Sequence, residues 1–230
     1  MKTLGLIGGI GPESTIDYYR MIIERYRART NGENPAIILN SIDLNRIIAW
    51  MNSGELNNVA DYCSQEIERL VRAGAEVGAI CSNTPHIVFD ELRARANLPL
   101  ISIVESTRDR VRTLGLKTVA LFGTRFTMQA PFYPTKFAEA GIKLVTPNDE
   151  EQTFIHDRYM KELLSNQFLP ETRAQVLHIA DELKTREKVE AIILGGTELP
   201  LLIKSDLHHD LPLLDTASIH VDALVQALLN

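Results

Sequence analysis

Two short segments hold the residue types that could do chemistry: Cys81-Ser82-Asn83-Thr84-Pro85-His86 and Gly195-Gly196-Thr197-Glu198-Leu199-Pro200. Ser82 and Gly196 stand 114 positions apart. Each segment follows a short apolar run, 77–80 or 191–194, with the length and composition of a buried strand. Small hydroxyl and amide side chains at a strand end can hydrogen-bond a ligand carboxylate or cap the next helix. Pro85 suits the first turn of such a helix. Capping alone accounts for Asn83 or Thr84. The second segment repeats the arrangement with Thr197 and Glu198, so both strand ends carry polar groups.

A third segment, Gly8-Gly9-Ile10-Gly11-Pro12-Glu13-Ser14-Thr15, follows the first apolar run and opens a helical pattern. Glycine lets backbone approach a ligand closely, and helix N-termini attract anions. The segment therefore reads either as a site for a small carboxylate or phosphate, with Gly9 and Ile10 at its lip, or as a tight strand-to-helix turn. It completes neither a dinucleotide fingerprint nor a P-loop. Ser14 stands at the last glycine of the former, and the Gly-Lys-Ser/Thr of the latter is missing.

These segments need a frame to position them. Short apolar runs at 3–7, 36–39, 77–80, 100–103, 118–122, 142–145, 191–194 and 212–214 read as buried parallel strands. Amphipathic patterns lie between them, such as Ile16, Tyr19, Ile23 and Tyr26, with Ser14 and Thr15 as caps. A second pattern runs through Val59, Tyr62, Glu66 and Leu70, broken by one polar residue. Strands alternating with helices imply βαβ units. The halves resemble each other: 2–8 matches 117–123, Ser82 matches Gly196, and 98–101 matches 211–214, at offsets of 115, 114 and 113. Three matches in one order argue for internal duplication. The expected fold is α/β, with two similar doubly wound domains. Their expected extents are 1–100 plus 215–230, with a C-terminal helix packing back, and 101–214. Ligands bind outside the carboxyl ends of strands in such sheets. The predicted site is thus a cleft with one wall from each domain.

Composition narrows the functions. A net charge of −6 argues against general nucleic-acid binding. The local group Arg93, Arg95, Arg108, Arg110 and Arg112 falls on helical patterns and reads as a solvated face. No apolar run approaches the roughly 20 residues of a membrane span, and no leader pattern precedes the first strand, so the expected location is the cytoplasm. The two cysteines give neither a disulfide framework nor zinc spacing. Cys63 falls in a helical pattern and reads as buried and inert. His208-His209 reads as a solvent-exposed pair, so no metal is expected.

The chain resembles the aspartate/glutamate racemase family over essentially all of its 230 residues. The resemblance rests on GLIGGIGPEST at 5–15, SNTPH at 82–86, LFGTRFTM at 121–128 and LGGTELP at 194–200. It implies a cofactor-independent enzyme, a homodimer, and a small acidic amino acid or related carboxylate as substrate. In that family two cysteines, one per domain, face opposite sides of the substrate α-carbon. One thiolate removes the α-proton and the other thiol returns one. Thiols suit the task because their reference pKa of about 8.5 is within reach of local tuning.

This chain departs from the pattern at both places, where Ser82 and Gly196 stand. Serine is a poor base unless another base activates it. Glycine offers no side chain. Cys81 is one residue early, and strand alternation turns it toward the core. The remaining candidates for acid–base work are Glu198, Ser82, Cys81 and His86. The resemblance also implies carboxylate binding by Gly9, Ile10, Asn83, Thr84, Thr124, Thr127 and Thr197, and by a cation such as Arg46. Arg46 reads equally as a surface arginine. A second cation is expected from His156, Arg158 or Lys161. Three functions stay open: an isomerase using other groups, a lyase or decarboxylase on the same scaffold, and a carboxylate-binding pseudoenzyme.

Overall fold

A computed structural model describes residues 2–230. The chain divides into two compact units, Met1–Ser106 with Ala217–Asn230, and Thr107–Thr216. The first contains β1 (Thr3–Gly8), α1 (Pro12–Arg29), β2 (Ala36–Ser41), α2 (Leu44–Ser53), α3 (Leu56–Arg72), β3 (Val77–Ile80), a 3-10 turn (Thr84–Val88), α4 (Phe89–Arg95) and β4 (Leu100–Ile101). Helix α5 (Ile103–Thr113) carries the chain across the boundary. The second unit contains β5 (Thr118–Gly123), α6 (Arg125–Gln129), α7 (Phe132–Ala138), β6 (Lys143–Val145), α8 (Asp149–Lys161), α9 (Pro170–Glu187), β7 (Ala191–Gly195), α10 (Leu199–Ile203), β8 (Leu207–His208) and β9 (Leu211–Asp215). The closing helix α11 (Thr216–Leu229) belongs almost wholly to the first unit.

The two sheets repeat one topology. Their strand orders are β2-β1-β3-β4 and β6-β5-β7-β9-β8, and all pairings are parallel except β8 with β9. The repetition extends to single hydrogen bonds. Glu76 accepts from the Thr3 amide at 2.8 Å, and Glu190 accepts from the Thr118 amide at 2.8 Å. In return the Glu76 and Glu190 amides donate to the carbonyls of Thr3 and Thr118. Each carboxylate thus holds the start of a central strand in its own unit.

In the first unit, Leu4, Leu6, Val77, Ala79 and Cys81 pack against Tyr18, Ile22 and Tyr26 of α1 and against Val221, Leu224, Val225 and Leu228 of α11. On the opposite face Gly5 lets α3 approach. A Cβ there would lie 3.2 Å from the Leu70 side chain and 2.7 Å from Ala75. In the second unit, Ala120, Phe122, Ile192 and Leu194 pack against Ile155 and Tyr159 of α8, Val176, Ile179 and Leu183 of α9, and Leu199 and Leu202 of α10.

Several expectations need correction. The buried face of α1 is Tyr18, Ile22 and Tyr26, while Ile16 and Tyr19 are exposed. Both rows have helical spacing, and period alone cannot choose between them. Ser14 and Thr15 lie inside α1 rather than capping it, because the helix already begins at Pro12. Their hydroxyls both donate to the Gly11 carbonyl. β2 is half-exposed, as befits an edge strand, and not a buried one. Residues 102 and 103 leave β4, and α5 starts at Ile103. Glu66, the polar break on α3, is buried and bonded by Asn40 at 2.7 Å and Arg69 at 3.0 Å. That partnership offsets the cost of burying its charge.

Candidate functional site

The glycine turn is built by close packing. Gly9 has φ +86°, and a Cβ there would lie 2.4 Å from the Ile42 carbonyl. A Cβ on Gly8 would lie 2.3 Å from the Thr15 methyl. The Gly9 amide donates to Thr15 Oγ1 at 2.9 Å, so this N–H is already spent within the protein. Gly9, Ile10 and Gly11 are all buried.

Arg46 is exposed on the first turn of α2. Asp43 caps this helix by accepting from the Asn45 amide at 2.9 Å. The Arg46 guanidinium lies over the rings of Trp50, at 5.0 Å, and Tyr62, at 4.5 Å. Aromatic faces orient the cation and leave its N–H edge for an anion.

Ser82 and Asn83 are buried at the carboxyl end of β3, and Thr84 is half-buried. The ring of His86 is committed to structure. Its Nε2 faces the Ile103 amide at 3.3 Å, which can only donate. Nδ1 therefore carries the proton and donates to the Ser82 carbonyl at 2.9 Å. His220 is fixed in the same manner. Its Nε2–H donates to the Ile101 carbonyl at 3.0 Å, and its Nδ1 accepts from Tyr18 Oη at 3.0 Å. Burial, with His220 nearby, lowers the His86 pKa to about 3, and burial lowers that of His220 to about 4. His86 is thus a neutral strut for the Ser82 turn and does not serve the Ser82 hydroxyl as a base.

Cys81 is fully enclosed in the core among Leu4, Tyr18 and Val221, and burial drives its thiol pKa far up. A thiol so desolvated supplies no thiolate, which removes Cys81 from the acid–base candidates. Cys63 is likewise buried, and burial, then Glu66, push it up to about 12.

In the second unit Thr124 caps α6 by accepting from the Thr127 amide at 3.3 Å, and the two hydroxyls meet at 3.2 Å. Both residues are buried. Of the expected second cations, Arg158 pairs with Glu162 at 2.6 Å and Lys161 with Asp157 at 2.7 Å. His156 Nδ1 accepts from the Arg125 amide at 3.2 Å, and burial, then Arg125, lower its pKa. Arg125 itself is exposed at the start of α6. Its place two residues after the end of β5 is a usable signal in the sequence.

At the carboxyl end of β7, Gly196, Thr197 and Glu198 are all buried. A Cβ on Gly196 would lie 2.4 Å from Tyr159 Cε2. The Tyr159 hydroxyl donates to Glu198 Oε2, which also accepts from Thr197 Oγ1 at 3.0 Å. Glu198 Oε1 has no partner among the described residues. Burial, then the Glu198 charge, hold the Tyr159 hydroxyl well above the ordinary phenol value. Sequence spacing offers no sign of Tyr159, because it lies 37 positions before Gly196.

Two other features lie elsewhere in their units. A groove of about 440 Å³ runs along α3 and α4, lined by Asp61, Glu68, Arg72 and Arg95. It includes none of the strand-end residues. Asp181, His208 and His209 bring their ligand atoms within 4.8 Å of one another and could hold a divalent cation. His208 is half-buried there and bonds Asp181 at 3.1 Å.

Known proteins agree with this architecture. Residues 7–224 match the Asp/Glu/Hydantoin racemase family. A candidate Asp/Glu racemase from Yersinia pestis superposes with a TM-score of 0.89 at 34% identity, covering 100% of both chains. PH1733, an aspartate racemase homologue from Pyrococcus horikoshii OT3, gives 0.83 at 31% identity, also covering 100% of both. The broad specificity amino-acid racemase RacX of Bacillus subtilis is 19% identical over 94% of this chain and 93% of its own length. The fold also matches a Francisella tularensis glutamate racemase in complex with D-glutamate, at a TM-score of 0.66 and 19% identity, over 99% of this chain and 81% of that one. By sequence match and by fold, the chain belongs to the Asp/Glu/Hydantoin racemase family.

Proposed function

We propose that the protein is a cofactor-independent isomerase that moves the α-proton of aspartate, glutamate or a closely related small acidic amino acid. The observation that carries this reading is the repeated strand end. Polar side chains follow β3 as Ser82, Asn83 and Thr84, and follow β7, the equivalent strand of the second sheet, as Thr197 and Glu198. Donors of this kind can hold a carboxylate and steady the charge that develops when its α-proton leaves. Arg46, exposed and backed by two rings, suits the side-chain carboxylate of an acidic substrate. Thr124, Thr127 and Ile10 complete the proposed binding set, while Gly9 shapes the turn beside Ile10 through its bond to Thr15. The family match and the amino-acid racemase named among its relatives support the reaction class. A cytoplasmic homodimer is proposed on the resemblance alone.

A second reading has its own support. No thiol stands at either position where the family's pattern puts one, and Cys81 is sealed in the core. A protein that binds a dicarboxylate without turnover would fit that. Solvent-deuterium exchange at the α-carbon, followed by proton NMR across an amino-acid panel, separates the two. Exchange with aspartate or glutamate is expected. No exchange with any acid, together with thermal stabilisation by succinate, would leave only the binding protein.

A further inference from the structure

The place beyond Gly196 is occupied. The Tyr159 ring of α8 fills the direction in which a side chain would project, and its hydroxyl oxygen lies 3.0 Å from where that Cβ would be. Behind the ring sits Glu198, 2% exposed, with one oxygen taken by two hydroxyl donors and the other bare. An unsatisfied buried carboxylate oxygen is costly, on the order of 1–3 kcal/mol or more. Glutamine would accept the same two hydroxyl bonds without a buried charge. An ionisable group kept in such a position, in contact with a phenol at a strand end, has the make-up of a proton-transfer site.

We propose that Tyr159 and Glu198 form a proton-transfer couple, with the Tyr159 phenol as the acid–base residue and Glu198 as the positioning residue that exchanges a proton with it. The inference rests on the isomerase reading above. In the direction of removal, the substrate Cα–H bond breaks and its proton joins Tyr159 Oη. The phenol's own proton passes along the existing hydrogen bond to Glu198 Oε2. The electron pair stays on the substrate, so the charge that began on Glu198 ends on the carbanion. Delivery runs the same steps backwards. Nothing is oxidised or reduced. The carboxylate is needed because a free phenolate is disfavoured in this enclosed place, and a concerted shift never forms one.

The test uses the full chain and two variants. Tyr159→Phe keeps the ring over Gly196 and removes only the hydroxyl. Glu198→Gln keeps the shape and an acceptor oxygen. α-Deuterium exchange of aspartate and glutamate, with kcat and KM resolved, should show kcat lowered about 10²- to 10⁴-fold in Tyr159→Phe with KM little changed. Glu198→Gln should lower kcat comparably, again with KM little changed. Melting temperatures confirm that each variant is folded, and the Glu198 variant decides if the Tyr159 variant is not. A folded Tyr159→Phe protein exchanging at the wild-type rate would overturn the couple and leave the isomerase reading standing. A wild-type protein that exchanges no amino acid would overturn both.

Discussion

Lowering the pH from 7 toward 4 should loosen the first unit through its two buried histidines. His86 and His220 are buried and neutral, with folded pKa values of about 3 and about 4. In the unfolded chain both rings titrate near 6.5. Between pH 6.5 and 4 the unfolded state therefore binds more protons than the folded one. Stability rises with pH wherever that holds, so it falls as pH falls through this window. From pH 7 to pH 5 each ring withdraws about 2 kcal/mol, or about 4 kcal/mol together. That is a large share of a typical domain stability of about 5–15 kcal/mol. Trp50 is the chain's single tryptophan and sits in α2 of the same unit, so its fluorescence in urea titrations reports the right transition. Between pH 6 and pH 5 the wild type should lose about 2 kcal/mol, and either His86→Asn or His220→Asn about half that, because one titrating ring remains. Equal pH slopes in wild type and variants, or an imidazolium NMR signal from either ring at pH 5, would refute the reasoning.

Further outcomes are expected at other positions. Gly196→Ala should cost about 1–3 kcal/mol by pressing on the Tyr159 ring, and far less in a Tyr159→Ala background, as a double-mutant cycle in urea would read. Neither Cys63 nor Cys81 should react with a thiol reagent until the chain unfolds, so rapid native-state labelling would contradict their burial. Asp43→Ala should destabilise by about 1 kcal/mol through the lost α2 cap, and Arg46→Gln should weaken thermal stabilisation by succinate without that loss. A chain ending at Thr216 should lose the native Trp50 emission, because α11 supplies part of the first unit's core; retained emission would count against that.

Much of the frame could be read from residue order. The matched strand starts at Thr3 and Thr118, and the matched ends at Ser82 and Gly196, give the duplication. The two sheets then repeat their strand order around it. What escaped depended on distance in sequence or on degenerate patterns. Tyr18 and Tyr19 both continue a helical row, and only the sheet beneath α1 decides which is buried. β8 is two residues long and antiparallel, too short to carry a period. His86 looked chemical because it is a histidine near a serine. Its two hydrogen bonds, to backbone of residues 82 and 103, show it to be structural. Tyr159 belongs beside Gly196 only because α8 packs against the end of β7, and no local motif encodes that.

The return of α11 to the first unit sets an order of assembly during synthesis. Residues 107–216 form a contiguous stretch, and their unit has all its parts once they have left the ribosome. The first unit begins earlier and finishes later. Val221, Leu224, Val225 and Leu228 complete its core, and at roughly 2 kcal/mol each they carry about 8 kcal/mol of burial. A nascent chain lacking them holds β1, β3 and α1 with one apolar face uncovered. Newly made protein is therefore most exposed to aggregation in its first half, and that exposure ends only when α11 is released.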